Sequence, residues 1–372
     1  MGNSLKNKKI KIVEKFGIFI SVSLLVIIAG VVMLFVQGMN LGVEFKGGMT
    51  FEVEIANDVV SSNIGGAEED AFKADINSWL ASGNVKLGED TYKFNPAANV
   101  QKAGADTYEF RVDRDAKKNG ADYLLDSKSD NFTEIFAKES GEMSVAVKKY
   151  AIDWFKTNLD IELDADKVSV RTHTIGNEVM QSIIKNAAIA VAVAVAAILV
   201  YIAIRFTWVS GLAAILALVH DVLVMTAFTT IFQIPVNSTY IAAIITIIGY
   251  SINATIVIFD RVRELEKTPS YAVLSDAEIA NKAIVNTLWR SILTTVTTLV
   301  MIVSLAIFGN STIREFAFPI VFGLLAGAYS SILLSAPIWV YLRKLFRMSG
   351  KRPTLKTKAA KTETVETAEV QA

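Results

Sequence analysis

Six long, predominantly apolar blocks constrain this chain more than any other feature: Phe16–Val36, Asn186–Ile204, Phe206–Phe232, Val236–Phe259, Ser291–Ile313 and Phe316–Leu342. Each comes close to or exceeds the ~20 residues with which a helix crosses a ~30 Å hydrocarbon core, and a helix satisfies its own backbone hydrogen bonds in lipid. The blocks predict an α-helical membrane protein with six transmembrane helices. Composition agrees, with 52% hydrophobic residues among 372 and a mean hydropathy of +0.41.

The first block is an uncleaved anchor by this reading, because its 21 uncharged residues exceed a signal peptide's ~7–15-residue apolar region and no small-x-small cleavage site follows. Orientation follows from basic flanks. Lys6, Lys8, Lys9, Lys11 and Lys15 precede the first block, and Arg343, Lys344, Arg347, Lys351 and Arg352 follow the last. The positive-inside rule then makes residues 1–15 a basic cytoplasmic N-terminus. It puts the tail 346–372, Arg205 and the 260–290 loop, with Arg261, Arg263, Lys267 and Lys282, on the same side. That tail is rich in Lys, Thr, Ala and Glu, lacks aromatic residues after Phe346, and is expected to be disordered. Residues 37–183 face outward and are acidic, with 26 Asp and Glu against 16 Lys and Arg, a net of −10.

That outward segment is far longer than a loop and carries the periodicities of an α+β domain. Phe51, Val53 and Ile55 alternate with Glu52 and Glu54 as in a half-buried strand, and Phe72, Ile76, Trp79 and Leu80 recur at helical spacing. Gly83-Asn84 leads into a hairpin pairing Val85 and Leu87 with Tyr92 and Phe94 across Gly88-Glu89-Asp90. Tyr108, Phe110 and Val112 suggest another strand, Asn131–Leu159 a helix or two broken at Gly141, and Val168 with Val170 a last strand. The order predicts a ferredoxin-like extracytoplasmic domain between helices 1 and 2, with a polar insertion near 96–130.

Several chemistries are excluded or unsupported. No cysteine is present, so disulfides, thiolate metal sites and cysteine nucleophiles are absent. The histidines are His173, read as a surface residue, and His220, and no phosphate-binding loop, metal-ligand spacing or nucleophile–base pair accompanies them. We expect no enzyme, no cofactor and no metal. An acidic outward domain also repels nucleic acid.

Polar residues inside the spans carry the functional signal, because ionisable groups at membrane depth are costly and usually line a pathway. His220 and Asp221 sit in the third block, with a pathway role or a structural hydrogen bond to a neighbouring helix both open and Ser251 and Asn253 as expected partners. Ser251, Asn253 and Thr255 in the fourth block read either as helix–helix contacts or as part of an ion path. Arg290, at the entrance of the fifth block, reads from its residue chemistry as snorkelling to the cytoplasmic interface. Asp260, Arg261, Arg263 and Glu264 form an interfacial charge cluster in which Asp260–Arg263 is the favourable spacing. Pro319 and Pro337 are expected to kink the last span.

Separated motifs then converge. Leu41-Gly42-Val43-Glu44-Phe45-Lys46-Gly47-Gly48 follows the first span, and Ile175-Gly176-Asn177-Glu178 precedes the second. Ala217–Val222 contains His220-Asp221, and Ile248-Gly249-Tyr250-Ser251-Ile252-Asn253 runs on to Phe259-Asp260-Arg261-Val262-Arg263-Glu264. Asn286–Ser291 and the Thr-rich Thr294–Thr298 enter the fifth span. In order and spacing, from about residue 10 to 345, the chain resembles the SecF branch of the SecD/SecF family in the resistance-nodulation-division superfamily.

The resemblance implies a multi-pass bacterial cell-membrane protein that partners SecD and the SecYEG channel. It also implies that the proton motive force is used to assist late export of unfolded secretory polypeptide, after the ATPase SecA has acted. In that family the fourth span usually reads Asn-Asp-Thr, with the Asp assigned to proton coupling and the arginine matching Arg290 assigned to act with it; here the triplet is Asn253-Ala254-Thr255. A passive scaffold that binds chains without ion coupling, and a small-molecule or lipid exporter of the same superfamily, are the alternatives.

Overall fold

The computed structural model describes residues 11–346 except 47, 57–65, 97–100, 103–106, 114, 125–131, 176, 272–273 and 310. Gly47, Gly176, the lysines before residue 10 and the tail beyond Phe346 therefore lie outside the described residues.

Helix α1 (Phe16–Val36) is the first span, and a short helix α2 (Val43–Lys46) leads into an α+β unit. Its elements are β1 (Gly48–Ile55), α3 (Gly66–Ala81), β2 (Val85–Leu87), β3 (Asp90–Lys93), β4 (Gln101–Lys102) and β5 (Thr107–Asp113). They continue as β6 (Asp115–Lys118), β7 (Ala121–Leu124), α4 (Phe132–Leu159) and β8 (Val168–Ile175). Helices α5 (Asn177–Arg205), α6 (Trp208–Ile231), α7 (Ser238–Lys267) and α8 (Asp276–Phe308) follow. The last span is α9 (Ser311–Ser330), one π-helical turn (Ser331–Ser335) and α10 (Ala336–Leu345). Six helical segments among the described residues are long and apolar enough to cross a membrane.

Three of these helices clearly outrun their apolar blocks, since α5 starts at Asn177, α7 continues to Lys267 and α8 starts at Asp276 behind a capping box of Ser275 and Glu278. Apolar content sets where a helix meets lipid, whereas caps set where it starts. Pro319 sits inside α9. Pro337, which cannot donate to a helical carbonyl, follows the widened π turn, so the irregularity expected there takes the form of a π-helical turn.

In the α+β unit one antiparallel sheet has the order β4-β5-β1-β8. Its buried face seats the Phe72 ring of α3 against Tyr108, Phe110, Trp154 and Phe155, with centroids 5.0–6.2 Å apart. The hairpin expected at 85–94 has Val85 opposite Tyr92, but Gly88-Glu89 turns it and Asp90 is already in the strand. It also joins a second sheet, β2-β3-β6-β7, because Tyr92 and Lys93 pair with β6. Within 96–130, β5 is an inner strand of the first sheet and β6–β7 extend the second. Helix α4 runs unbroken through Gly141, since the ~1 kcal/mol cost of a helical glycine is offset by the buried Met143, Val147, Ala151, Trp154 and Phe155.

Gly48 opens β1 at φ 130°, a conformation that side chains rarely adopt, and thus needs to be glycine. Gly48→Val is expected to destabilise the sheet by about 1–3 kcal/mol. Faster amide hydrogen exchange across β1 and β8 would register the loss; unchanged exchange would show that the strand absorbs the strain.

The α+β unit is fastened to the helices at several points. Gly42 N–H donates to Val236 O at 2.8 Å, and a Cβ at Gly42 would come within 3.2 Å of that oxygen. The Glu44 carboxylate accepts from the Ser238 N–H at the start of α7. In the helix bundle, α1 crosses α6 where Gly30 touches Ala227, and α5 is exposed along almost its whole length.

Candidate functional site

Asp221 is fully buried near the middle of α6, about 15–20 Å from either helix end at ~1.5 Å rise per residue. Three side chains from three segments meet it. His220 Nδ1–H donates to Asp221 Oδ1 at 2.9 Å, and Ser330 Oγ–H, at the end of α9, donates to Oδ2 at 2.8 Å. Ser251 Oγ–H, from α7, donates to the same Oδ2. The expected partnership of Ser251 with Asp221 is present; that of Asn253 is not, because Asn253 is exposed on the other side of α7. The helical repeat explains the split: at ~100° per residue, Ser251 and Thr255 share a face and Asn253 lies roughly opposite.

Glycines let these helices come close enough. A Cβ at Gly327 would stand 3.2 Å from Ser251 Cβ, and one at Gly323 would overlap the Ile247 side chain, 2.8 Å from its Cδ1. This is the small-residue packing that lets helix backbones approach in lipid. The His220 ring is stacked on Tyr329 at a centroid distance of 6.2 Å, and Tyr329 Oη–H donates to Phe19 O of α1 at 2.8 Å.

Chemically, the network holds a carboxylate with three donors, which is what an ionised group needs at membrane depth. With Nδ1–H committed to Asp221 Oδ1, 2.9 Å away, the lone pair of the imidazole lies on its far nitrogen. The other ring nitrogen, His220 Nε2, is buried and has no partner among the described residues. Thr255 Oγ1 and Ser291 Oγ are likewise buried and without partners among the described residues.

The remaining candidates are dispersed. Asn253 and Arg290 are exposed, Ala254 is half-buried, and Gly249 faces open space, so this flank of α7 and α8 presents polar groups outward from the bundle. Asp260 does not pair with Arg263; it meets Arg205 Nη2 at 2.9 Å, while Arg263 donates to the Arg205 carbonyl and Arg261 pairs with Glu264 at 2.6 Å. A partner from the end of α5 displaces the local i,i+3 contact. His173 is exposed on β8, with Glu52 4.0 Å away. Ser330 and Gly327 escaped the sequence reading, although the Gly323-x-x-x-Gly327 spacing and three serines at 330, 331 and 335 in an apolar span were signals for them.

The described residues thus form a helix bundle with six candidate membrane spans, a buried, multiply hydrogen-bonded carboxylate and an α+β unit that lies in the chain between the first two spans. The family model for the protein export membrane protein SecD/SecF, C-terminal, matches residues 156–345, and that for the SecD/SecF GG motif matches residues 32–59. The chain belongs to the SecD/SecF family.

Among its relatives, the protein translocase subunit SecF of Sebaldella termitidis is 42% identical over 188 residues, 49% of this chain and 59% of that protein. The SecF subunit of Cereibacter sphaeroides is 43% identical over 169 residues, 45% of this chain and 52% of that protein. The chain thus matches little more than half the length of these curated relatives. The crystal structure of SecDF, a translocon-associated membrane protein from Thermus thermophilus, aligns with a TM-score of 0.64 at 25% identity, covering 91% of this chain and 39% of that one. SecDF in its super-membrane-facing form aligns at 0.56 and 26%, over 92% and 40%.

Proposed function

We propose that this chain is a SecF-type accessory subunit of the Sec export machinery, which works beside a SecD partner and the SecYEG channel on polypeptide already engaged by SecA. The observation that carries this reading is the family match across both the GG motif and the helix bundle. In this reading both termini are cytoplasmic, the protein lies in the bacterial cell membrane, and the α+β domain faces outward, where it contacts emerging unfolded chains. The first-sheet order β4-β5-β1-β8 and the succession β1, α3, β4, β5, α4, β8 support a ferredoxin-like class for that domain.

Coupling to the proton motive force runs through Asp221, through an acid supplied by SecD, or through both. Ala254 has no titratable group where the family usually has an acid, and Asp221 is the carboxylate buried at mid-span. Asn253 and Arg290, exposed on one flank, are suited to meet a partner's helices. The exporter alternative has no observation in its favour.

The test is preprotein export into vesicles holding this chain and its SecD, with and without an imposed proton gradient, for the chain as given, Ala254→Asp and Asp260→Asn. The chain as given is expected to respond to the gradient. Asp260→Asn is expected to stay within about twofold of it, since a half-exposed ion pair contributes ~0–1 kcal/mol. A response confined to Ala254→Asp would make this chain a scaffold, and export indifferent to the whole chain would refute the assignment.

A further inference from the structure

Arg111 of β5 and Glu315 of α9 form a buried ion pair between the α+β domain and the helix bundle, across 204 residues of sequence. Arg111 Nη2 lies 2.5 Å from Glu315 Oε1, and Arg111 Nε donates to Glu109 Oε1 at 2.8 Å. The other Glu315 oxygen accepts from Asn237 Nδ2, and Asn237 is also the N-cap of α7. The side chains of Arg111 and Glu315 are 12% and 4% exposed. Burial pulls the Arg111 guanidinium toward losing its charge, but attraction to Glu315 and Glu109 outweighs it, so Arg111 stays a cation.

The position of this pair matters as much as its chemistry. Helices α7 and α9 run side by side in the same direction, and each carries one residue of this joint and one donor to Asp221. On α7 these are Asn237 and Ser251; on α9 they are Glu315 and Ser330. The intervals of 14 and 15 residues correspond to ~21 and ~22 Å of helix, so two polar crosslinks of matched spacing tie the pair together. Between them the contact is glycine-tight at Gly323 and Gly327. A shift of α9 along α7 at one crosslink is therefore felt at the other. Apolar packing would hold the domain equally well, whereas a buried ion pair is directional and loses its value when either partner moves.

We propose that Arg111 and Glu315 are positioning residues that couple the orientation of the α+β domain to the charge state of the Asp221 network. The inference rests on the reading of Asp221 as the group whose charge changes.

Because the chain has no cysteine, spin labels are placed cleanly at Lys86→Cys on the α+β domain and Phe308→Cys at the near end of α8. The full chain is reconstituted in vesicles with its SecD, and the label-to-label distance distribution is read by double electron–electron resonance. Asp221→Asn is expected to shift that distribution, with Ser330→Ala as the milder variant should Asp221→Asn fold poorly. In a Glu315→Gln background the shift is expected to vanish. An unmoved distribution in both Asp221→Asn and Ser330→Ala, or the same shift with the joint broken, overturns the proposal. A shift that depends on the joint while gradient-driven export ignores Asp221→Asn supports the joint and instead sinks the assignment of Asp221 to ion coupling.

Discussion

Asp221→Asn is expected to lower gradient-driven export by about tenfold or more, the equivalent of ~1.4 kcal/mol or greater in the coupled step. Asparagine fills the same volume and still accepts from the Ser251 and Ser330 hydroxyls, so the helices stay packed. It no longer changes charge. A relay that must take up and release a proton has no partial substitute for that group, whereas each interhelical hydrogen bond at the site contributes only ~0.6–2 kcal/mol to stability. The functional loss should thus exceed any loss of fold. Vesicle export with and without the gradient, alongside thermal unfolding in detergent, separates the two effects. Equal export by Asp221→Asn and Asp260→Asn would remove Asp221 as the coupling group.

Gly323→Leu is the second large effect, and it acts on fold and function together. Any Cβ at Gly323 overlaps Ile247, which is itself 1% exposed and has no room to retreat. Overpacking of this kind costs about 1–3 kcal/mol, and prising α9 from α7 also lengthens the Ser330 and Ser251 bonds to Asp221. The expected results are a lower thermal midpoint and loss of the gradient response. Gly249→Leu is the control, because beyond its own helical turn no atom of the described residues lies within 4 Å of a Cβ there and the chain's own midpoint should not move. Were Gly323→Leu as stable and active as the parent, the two helices would have more freedom than the contact shows.

The different legibility of these two positions is instructive. Asp221 stands out in any reading of the sequence, because a carboxylate amid Leu218, Val219, Val222 and Leu223 has no solvent to meet. Gly323 does not, because glycine is common in membrane helices and its meaning depends on what lies across from it. In the α+β domain the alternations at 51–55 and 108–112 marked strands, and the structure pairs them directly, Phe51 opposite Phe110 and Val53 opposite Tyr108. The hairpin at 85–93 was legible as a hairpin but not as a member of the second sheet, since local turn chemistry fixes strand pairs and says nothing about which sheet receives them.

By itself the sequence determined the six spans, an α+β domain between the first two, the absence of thiol chemistry, and His220-Asp221 as an ionisable pair within an apolar block. Those features follow from local quantities: run length, periodicity, and the cost of a charge in hydrocarbon. Only the tertiary structure decided that Ser251 rather than Asn253 reaches Asp221, that Ser330 joins it from 109 residues away, and that Asp260 turns from Arg263 to Arg205. A helix presents every side chain to some direction, and the choice of which face is buried belongs to the packing of all six spans at once. The Arg111–Glu315 joint is the extreme case, since nothing local to either residue names the other and only the docking of the domain on α7 and α9 brings their charges together.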